Sequence, residues 1–197
     1  MAKQDWLIVG LGNPGPKYFR NRHNVGALAI EMIAKQNSTS LTKNKANAWF
    51  GKTNFGSYGV GQGYYLAIPD TYMNTSGGPV GALAKYYSIP PERIIVIHDE
   101  LDIPFGQVRV KRGGGEGGHN GLRDISRVLG TKDYVRLRLG IGRPNEHVTV
   151  VDYVLSDFPK AKSAEVETML LKASECVESI VKNGVSETQN KFHSANS

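Results

Sequence analysis

Cysteine is almost missing from this chain. Cys176 stands alone, so no internal disulfide can form and stability must come from burial and hydrogen bonding. The same scarcity points to a reducing, cytoplasmic setting. No apolar run approaches the roughly 18 residues that a membrane span needs, which excludes a spanning helix. The opening MAKQDWLIVG has no basic start followed by a long apolar stretch, so no secretory signal is expected. Repeats, low-complexity tracts and linker-like stretches are absent as well, and 197 residues suffice for one sizeable core. One domain over 1–197 is expected, with a polar stretch from 183 to 197 that is loosely held.

Two catalytic signatures are also lacking. There is no G-x-S-x-G, so a serine nucleophile elbow has no support. Cys176 falls within a long helical pattern, away from every histidine-bearing loop, and its ordinary reading is a small apolar residue. Acid is scarce where base is plentiful: residues 106–147 hold nine Lys or Arg against four Asp or Glu, most of the net charge of +6. A local cationic excess is what a polyanionic partner requires, although a solvated basic face gives the same count.

What is present alternates between strand and helix patterns, which favours an α/β fold with a mixed, largely parallel twisted sheet flanked by helices. The apolar run Leu7–Val9 stops at Gly10 and reads as a buried strand; Val25, Leu28, Ala29, Met32 and Ile33 follow on one helical stripe. Residues 48–58 and Tyr64–Ile68 read as strands around the turn GVGQG. Ile94–Ile97 reads as a strand covered on both faces. Val80, Leu83, Ala84 and Tyr87 fall at helical spacing, with Ser76 as the expected cap, and Leu122, Ile125, Val128 and Leu129 form another stripe. Gln107–Lys111 alternates. Val135, Leu137, Leu139 and Ile141 alternate with Arg136 and Arg138, which predicts a half-buried strand with a cationic outer face. Residues 160–182 form one long amphipathic helix.

The polar residues cluster at the ends of these strands. Gly10-Leu11-Gly12-Asn13-Pro14-Gly15 matches a dinucleotide-binding turn, but the following region is helical where that fingerprint needs a second strand with an acid, and Pro14 removes an amide. A tight turn explains its glycines without explaining Asn13. Gly113–Gly121 holds six glycines in nine residues and ends in His119-Asn120 at a helix start, without the Lys and Ser or Thr of a phosphate-binding P-loop. His23, His98, Asp99 and His119 could in principle ligate a metal, yet no two histidines stand at ligand spacing. A carboxylate that orients a histidine base is more economical. Asn13, Asn74 and Asp99 each follow the carboxyl end of an expected strand, the edge at which open α/β sheets bind ligands. His23 and His119-Asn120 can reach the same edge. A histidine, an aspartate and three asparagines, with no covalent nucleophile, suit activation of water beside an acyl carbonyl.

Four separated stretches, LIVGLGNPGPKYFRNRHNVG, PDTYMNTSG, VIHDELDIPFG and RGGGEGGHNGL, resemble the bacterial-type peptidyl-tRNA hydrolase family in order and spacing. The resemblance extends through RLRLGIGRP to the helical C-terminal region. It implies hydrolysis of the ester that joins a peptide to the 3′ ribose of tRNA, by a monomer that needs no metal or other cofactor. By the same resemblance His23 is the general base, Asp99 holds its basic form, and Asn13 helps to distinguish N-blocked peptidyl-tRNA from aminoacyl-tRNA. Tyr18, Tyr72, Asn74 and Asn120 would bind the tRNA end and peptide, Met73 and His119 would line the cleft, and Lys111 and Arg138 would clamp phosphate. Tyr72 stands where phenylalanine is common in the family, and Glu116 puts a negative charge inside the glycine loop, near the expected polyanion. A relative that binds RNA through the basic region without catalysis is the competing reading.

Overall fold

The run Leu7–Val9 has no polar side chain to expose, and it forms the centre of strand β1 (Trp6–Gly10), buried on both faces. The computed structural model describes residues 5–56 and 61–194. The remaining strands are β2 (Thr42–Lys43), β3 (Ala48–Thr53), β4 (Tyr64–Pro69), β5 (Ile94–Glu100), β6 (Val108–Arg112) and β7 (Val135–Gly140). They make one sheet in the order β2-β3-β4-β1-β5-β7-β6. β4, β1, β5 and β7 are mutually parallel, while β3 with β2 and β6 at the two sides run antiparallel to their neighbours. The expected strand over 48–58 ends at Thr53; Tyr58, with Gly59 and Val60 of the expected turn, lies outside the described residues.

Helices cover both faces: α1 (Val25–Gln36), α2 (Gly77–Tyr86), α3 (Asn120–Leu129), the short α4 (Val150–Val154), α5 (Ser163–Asn183) and α6 (Val185–Ser194). Ile8, Ile95, Ile97 and Leu137 pack with the stripes of α1 and α5; Leu7, Val9 and Val96 pack with α2 and α3. Alternation along each strand divides one sheet between two apolar layers, so the chain is a single α/β domain. No helix among the described residues is long and apolar enough to cross a membrane.

Three expectations need correction. Ser76 does not cap α2: its hydroxyl donates to Met73 O at 2.8 Å, and the first amide of the helix, Gly77 N, donates instead to the buried carboxylate of Asp124 on α3 at 2.8 Å. The outer face of β7 is not simply solvated, because Arg136 is 2% exposed. Nor is the stretch after 183 loose as far as Ser194. It forms α6, buries Phe192 and Thr188, and satisfies the edge strand β6 from the side, with Val110 N donating to His193 Nε2 at 3.0 Å and Gln189 Nε2 donating to Val110 O at 2.9 Å. An unpaired strand edge seeks such donors and acceptors.

Two glycines decide where α1 begins. A Cβ on Gly26 would stand 2.1 Å from Ile97 O, and one on Gly10 would stand 2.2 Å from Gly26 O. Only bare backbone lets the first turn of α1 lie against the ends of β1 and β5. Leu11 N then donates to Ile97 O and Ala27 N to Leu11 O, each at 3.0 Å. The residues just before α1 are therefore carried over the carboxyl end of β5.

Candidate active site

His23 sits in the single 3-10 turn Arg22–Asn24 that leads into α1, and Asp99 is the sixth residue of β5. The close backbone contact at Gly26 brings them together. His23 Nδ1 lies 2.9 Å from each Asp99 carboxylate oxygen, and His119 Nε2 lies 2.9 Å from Oδ1. An ionised carboxylate only accepts, so both imidazole nitrogens facing it carry protons. His119 is also the N-cap of α3: its Nδ1 accepts from Gly121 N and Leu122 N at 3.2 and 3.4 Å. That fixes His119 as a neutral Nε2–H tautomer. For His23, a proton on Nδ1 leaves the Nε2 lone pair as the only basic site. The ring remains 13% exposed while Asp99 is 3% exposed, so the base reaches solvent and its partner does not.

Burial disfavours charge on Asp99, yet the neighbouring imidazoles of His119 and His23 hold its carboxyl far below the usual carboxylate range. Hydrogen bonds to a charged group contribute about 1.5–3 kcal/mol each, enough to offset much of the desolvation. His98, the preceding residue, points to the other face of the sheet. Its Nδ1 lies 2.8 Å from Asp99 O, and its buried Nε2 has no hydrogen-bond partner among the described residues. Burial, with His119 beside it, lowers its pKa to about 3, so it stays neutral.

The asparagines form a second polar assembly. Asn24 accepts from Asn13 N and donates to Asn13 O, both at 2.9 Å, clamping the turn after β1. Asn13 Oδ1 accepts from Met73 N at 2.7 Å. With its oxygen committed, Asn13 presents its Nδ2 hydrogens as donors on a fixed backbone. Met73 is buried beneath the turn that carries Asn74, and a Cβ on Gly121 would meet its sulfur at 2.6 Å, so this turn also touches the start of α3. Asn74 and Asn120 are exposed on these two elements, and Tyr72 is 61% exposed. Tyr18 is partly buried in the loop between β1 and His23.

Lys111 and Arg138 lie elsewhere, on the antiparallel β6–β7 ribbon. Arg109 faces Arg138 and Lys111 faces Arg136 across the ladder, so four cations share one face of the sheet. Arg136 is spent on structure: its guanidinium donates to Gly115 O and, at 2.6 Å, to Gly114 O, holding the glycine loop. Glu116 within that loop faces Lys132 at 3.3 Å. Burial works against its charge, but Lys132 holds its carboxyl below the ordinary value, so its charge is locally balanced. Cys176 is buried in α5, and burial pushes its thiol up to about 12, which removes it as a nucleophile.

Asn24, Arg22 and Arg136 hold the site and were not singled out from sequence. Asn24 precedes a helix without capping it, a signal that its amide is engaged elsewhere. Arg22 donates to Ser156 Oγ at 2.6 Å and lies over the Tyr153 ring at 4.1 Å, tying the His23 turn to the segment after α4. Ligand atoms of His23, Asp99 and His119 lie within 4.8 Å of one another, a spacing at which a metal ion could also be held.

The family model described as peptidyl-tRNA hydrolase matches residues 7–197. A peptidyl-tRNA hydrolase of Arthrobacter sp. (strain FB24) is 48% identical over 191 residues, covering 96% of this chain and 97% of its own. One from Frankia alni is 47% identical, covering 95% and 93%. Among solved structures, the crystal structure of peptidyl-tRNA hydrolase from Acinetobacter baumannii is similar with a TM-score of 0.88 and 37% identity, covering 98% of this chain and 96% of that one. With its sequence and its fold shared with these relatives over nearly the whole length, the chain belongs to the peptidyl-tRNA hydrolase family.

Proposed function

We propose that the chain hydrolyses the ester between peptide and 3′ ribose in peptidyl-tRNA, with His23 as general base. The observation that carries this reading is the 2.9 Å approach of His23 Nδ1 to a buried carboxylate, which assigns the proton to Nδ1 and leaves Nε2 as the basic nitrogen of a ring that is 13% exposed. Nε2 takes a proton from water as its oxygen attacks the acyl carbon. The imidazolium that forms is stabilised by Asp99, and its proton then passes to the departing ribose oxygen. Asn13 Nδ2 is a fixed donor for the substrate's acyl or peptide oxygen, a preorganised dipole of the kind that stabilises developing negative charge. Asn74 and Asn120 add exposed amides on neighbouring elements, and Tyr18 and Tyr72 offer rings for stacking. The β6–β7 ribbon, with Lys111 and Arg138, holds the phosphates of the acceptor arm, a contact that fixes position without reading sequence.

Release of tRNA from an N-acetyl-aminoacyl-tRNA by the purified protein tests the reading. Turnover that persists in excess chelator is expected. No release supports a binding module with an inactive site. Loss of release on chelation supports the second reading, favoured by the three convergent ligand atoms of His23, Asp99 and His119, in which a bound metal activates the water.

A further inference from the structure

In an edge strand each residue turns its N–H and C=O to the same side, so alternate residues point both groups away from the sheet. Val110 is such a residue at the centre of β6, and α6 takes both groups. Val110 N donates to His193 Nε2 at 3.0 Å, and Gln189 Nε2 donates to Val110 O at 2.9 Å. The two side chains stand one helical turn apart, and each directly follows a buried residue, Thr188 or Phe192. Thr188 Oγ1 lies 2.8 Å from Ser179 Oγ of α5, and Phe192 packs in the same apolar layer as the stripes of α1 and α5. These contacts anchor α6 to the body of the domain. The Val110 amide can only donate, so His193 Nε2 carries no proton. Burial, with Arg109 and Arg138 nearby, lowers the pKa of this ring and favours that neutral form.

What this grip opposes is charge. β6 carries Arg109 and Lys111 on either side of Val110, directly across from Arg138 and Arg136. Like charges opposite one another weaken a strand pair. Burial acts against the charge on Arg138 and, although Glu100 favours it, Arg109 and Arg136 add to the penalty. An edge strand under this repulsion, with no strand beyond it, needs support from outside. We propose that Gln189 and His193 are positioning residues for tRNA binding: by holding Val110 they keep β6 closed on β7, and so keep the cations concentrated on one face for the phosphates of the acceptor arm. The proposal rests on the reading of the ribbon as the phosphate-holding surface. Both residues act through Arg109, Lys111 and Arg138 rather than by touching RNA.

Three quantities test it: Kd for tRNA, kcat on N-acetyl-aminoacyl-tRNA, and exchange of the Val110 amide proton. His193→Leu keeps bulk without the acceptor. Its Kd should rise about fivefold, the loss of a net hydrogen bond, with kcat at saturation unchanged and Val110 exchange accelerated. His193→Gln retains a side-chain oxygen as acceptor and should return Kd to within about twofold of the original. Gln189→Leu should raise Kd in the same direction. An unchanged Kd in His193→Leu, a parallel loss of kcat that marks damage to the whole fold, or a His193→Gln variant as weak as His193→Leu would overturn the brace. Lys111→Ala combined with Arg138→Ala separates the brace from the reading beneath it. If that pair weakens binding while His193→Leu does not, only the brace fails; if the pair leaves Kd unchanged, the ribbon holds no phosphate and both fail. If the unaltered protein releases no tRNA from N-acetyl-aminoacyl-tRNA, the hydrolase reading fails, and the Kd comparison still decides the brace.

Discussion

The carboxyl end of β5 and the β6–β7 ribbon carry the two charged features of the proposed site, and they are constructed in opposite ways. At Asp99 a single buried charge is held by two imidazole N–H groups, each at 2.9 Å; the carboxylate assigns the proton on His23, and on His119 the amides that its Nδ1 accepts assign it as well. On the ribbon, Arg109, Lys111 and Arg138 are spread over a partly solvated face, and the only ion pair of Arg138 among the described residues, with Glu100, is as long as 4.0 Å. Proton transfer needs one nitrogen in one state, so it is served by burial and short hydrogen bonds. Attraction of a polyanion needs only potential, which survives mobile side chains and weakens with salt. Changes at the first region should therefore alter turnover, and changes at the second should alter binding.

The largest effect belongs to His23. In His23→Ala, kcat should fall on the order of 10³-fold, the range for loss of a general base, while the Kd for tRNA stays near the original value. Comparable losses in both quantities would break the division between the two regions. Next comes the ribbon: Lys111→Ala combined with Arg138→Ala should weaken tRNA binding about tenfold or more, with kcat at saturation unaltered. The plot of log affinity against log salt should become shallower by about 0.7–0.9 per lost phosphate contact, and an unchanged slope would show that these cations touch no phosphate.

The smallest effect sharpens the picture of the buried end. His98 is neutral in the fold, with its pKa depressed to about 3 from an ordinary value of 6.5. The unfolded chain therefore gains a proton at this residue as pH falls below about 6.5, while the folded chain does not until near 3. His98 thus adds to stability above that window, and the contribution is lost toward acid, by about 1.4 kcal/mol per pH unit. Denaturation midpoints of His98→Asn should fall less steeply between roughly pH 6 and pH 4 than those of the unaltered protein. Parallel slopes would mean that His98 is not held neutral.

Much of this was legible in the sequence because burial leaves a pattern. Ile94–Ile97 reads as a strand covered on both faces, and is one; the stripes of α1, α3 and α5 hold many of their buried residues, although Val128 of the α3 stripe is exposed and the buried Ile30 of α1 lies outside its stripe. Asn13 and Asn74, which follow strands, and Asp99, which the structure places inside β5 rather than after it, marked the edge that carries the polar groups. What pattern could not convey is which long-range partner each polar group takes. Asp124 caps a helix 47 residues away in sequence, and Arg136, alternating like a surface residue, turns inward to hold the carbonyls of the glycine loop. Residues Val185–Ser194 have too few apolar positions to read as a packed helix, yet the open edge of β6 gave His193 and Gln189 backbone groups to satisfy.

The proposed catalysis depends on where one proton sits on His23. ¹⁵N NMR of the histidine rings, recorded about two pH units above the ordinary histidine pKa, reads this directly. A protonated Nδ1 and a bare Nε2 are expected for His23, with Asp99→Asn shifting the ring away from that single tautomer. A His23 ring that carries its proton on Nε2 in the unaltered protein would rule out this general base, because the nitrogen facing the water would then have no lone pair with which to accept its proton.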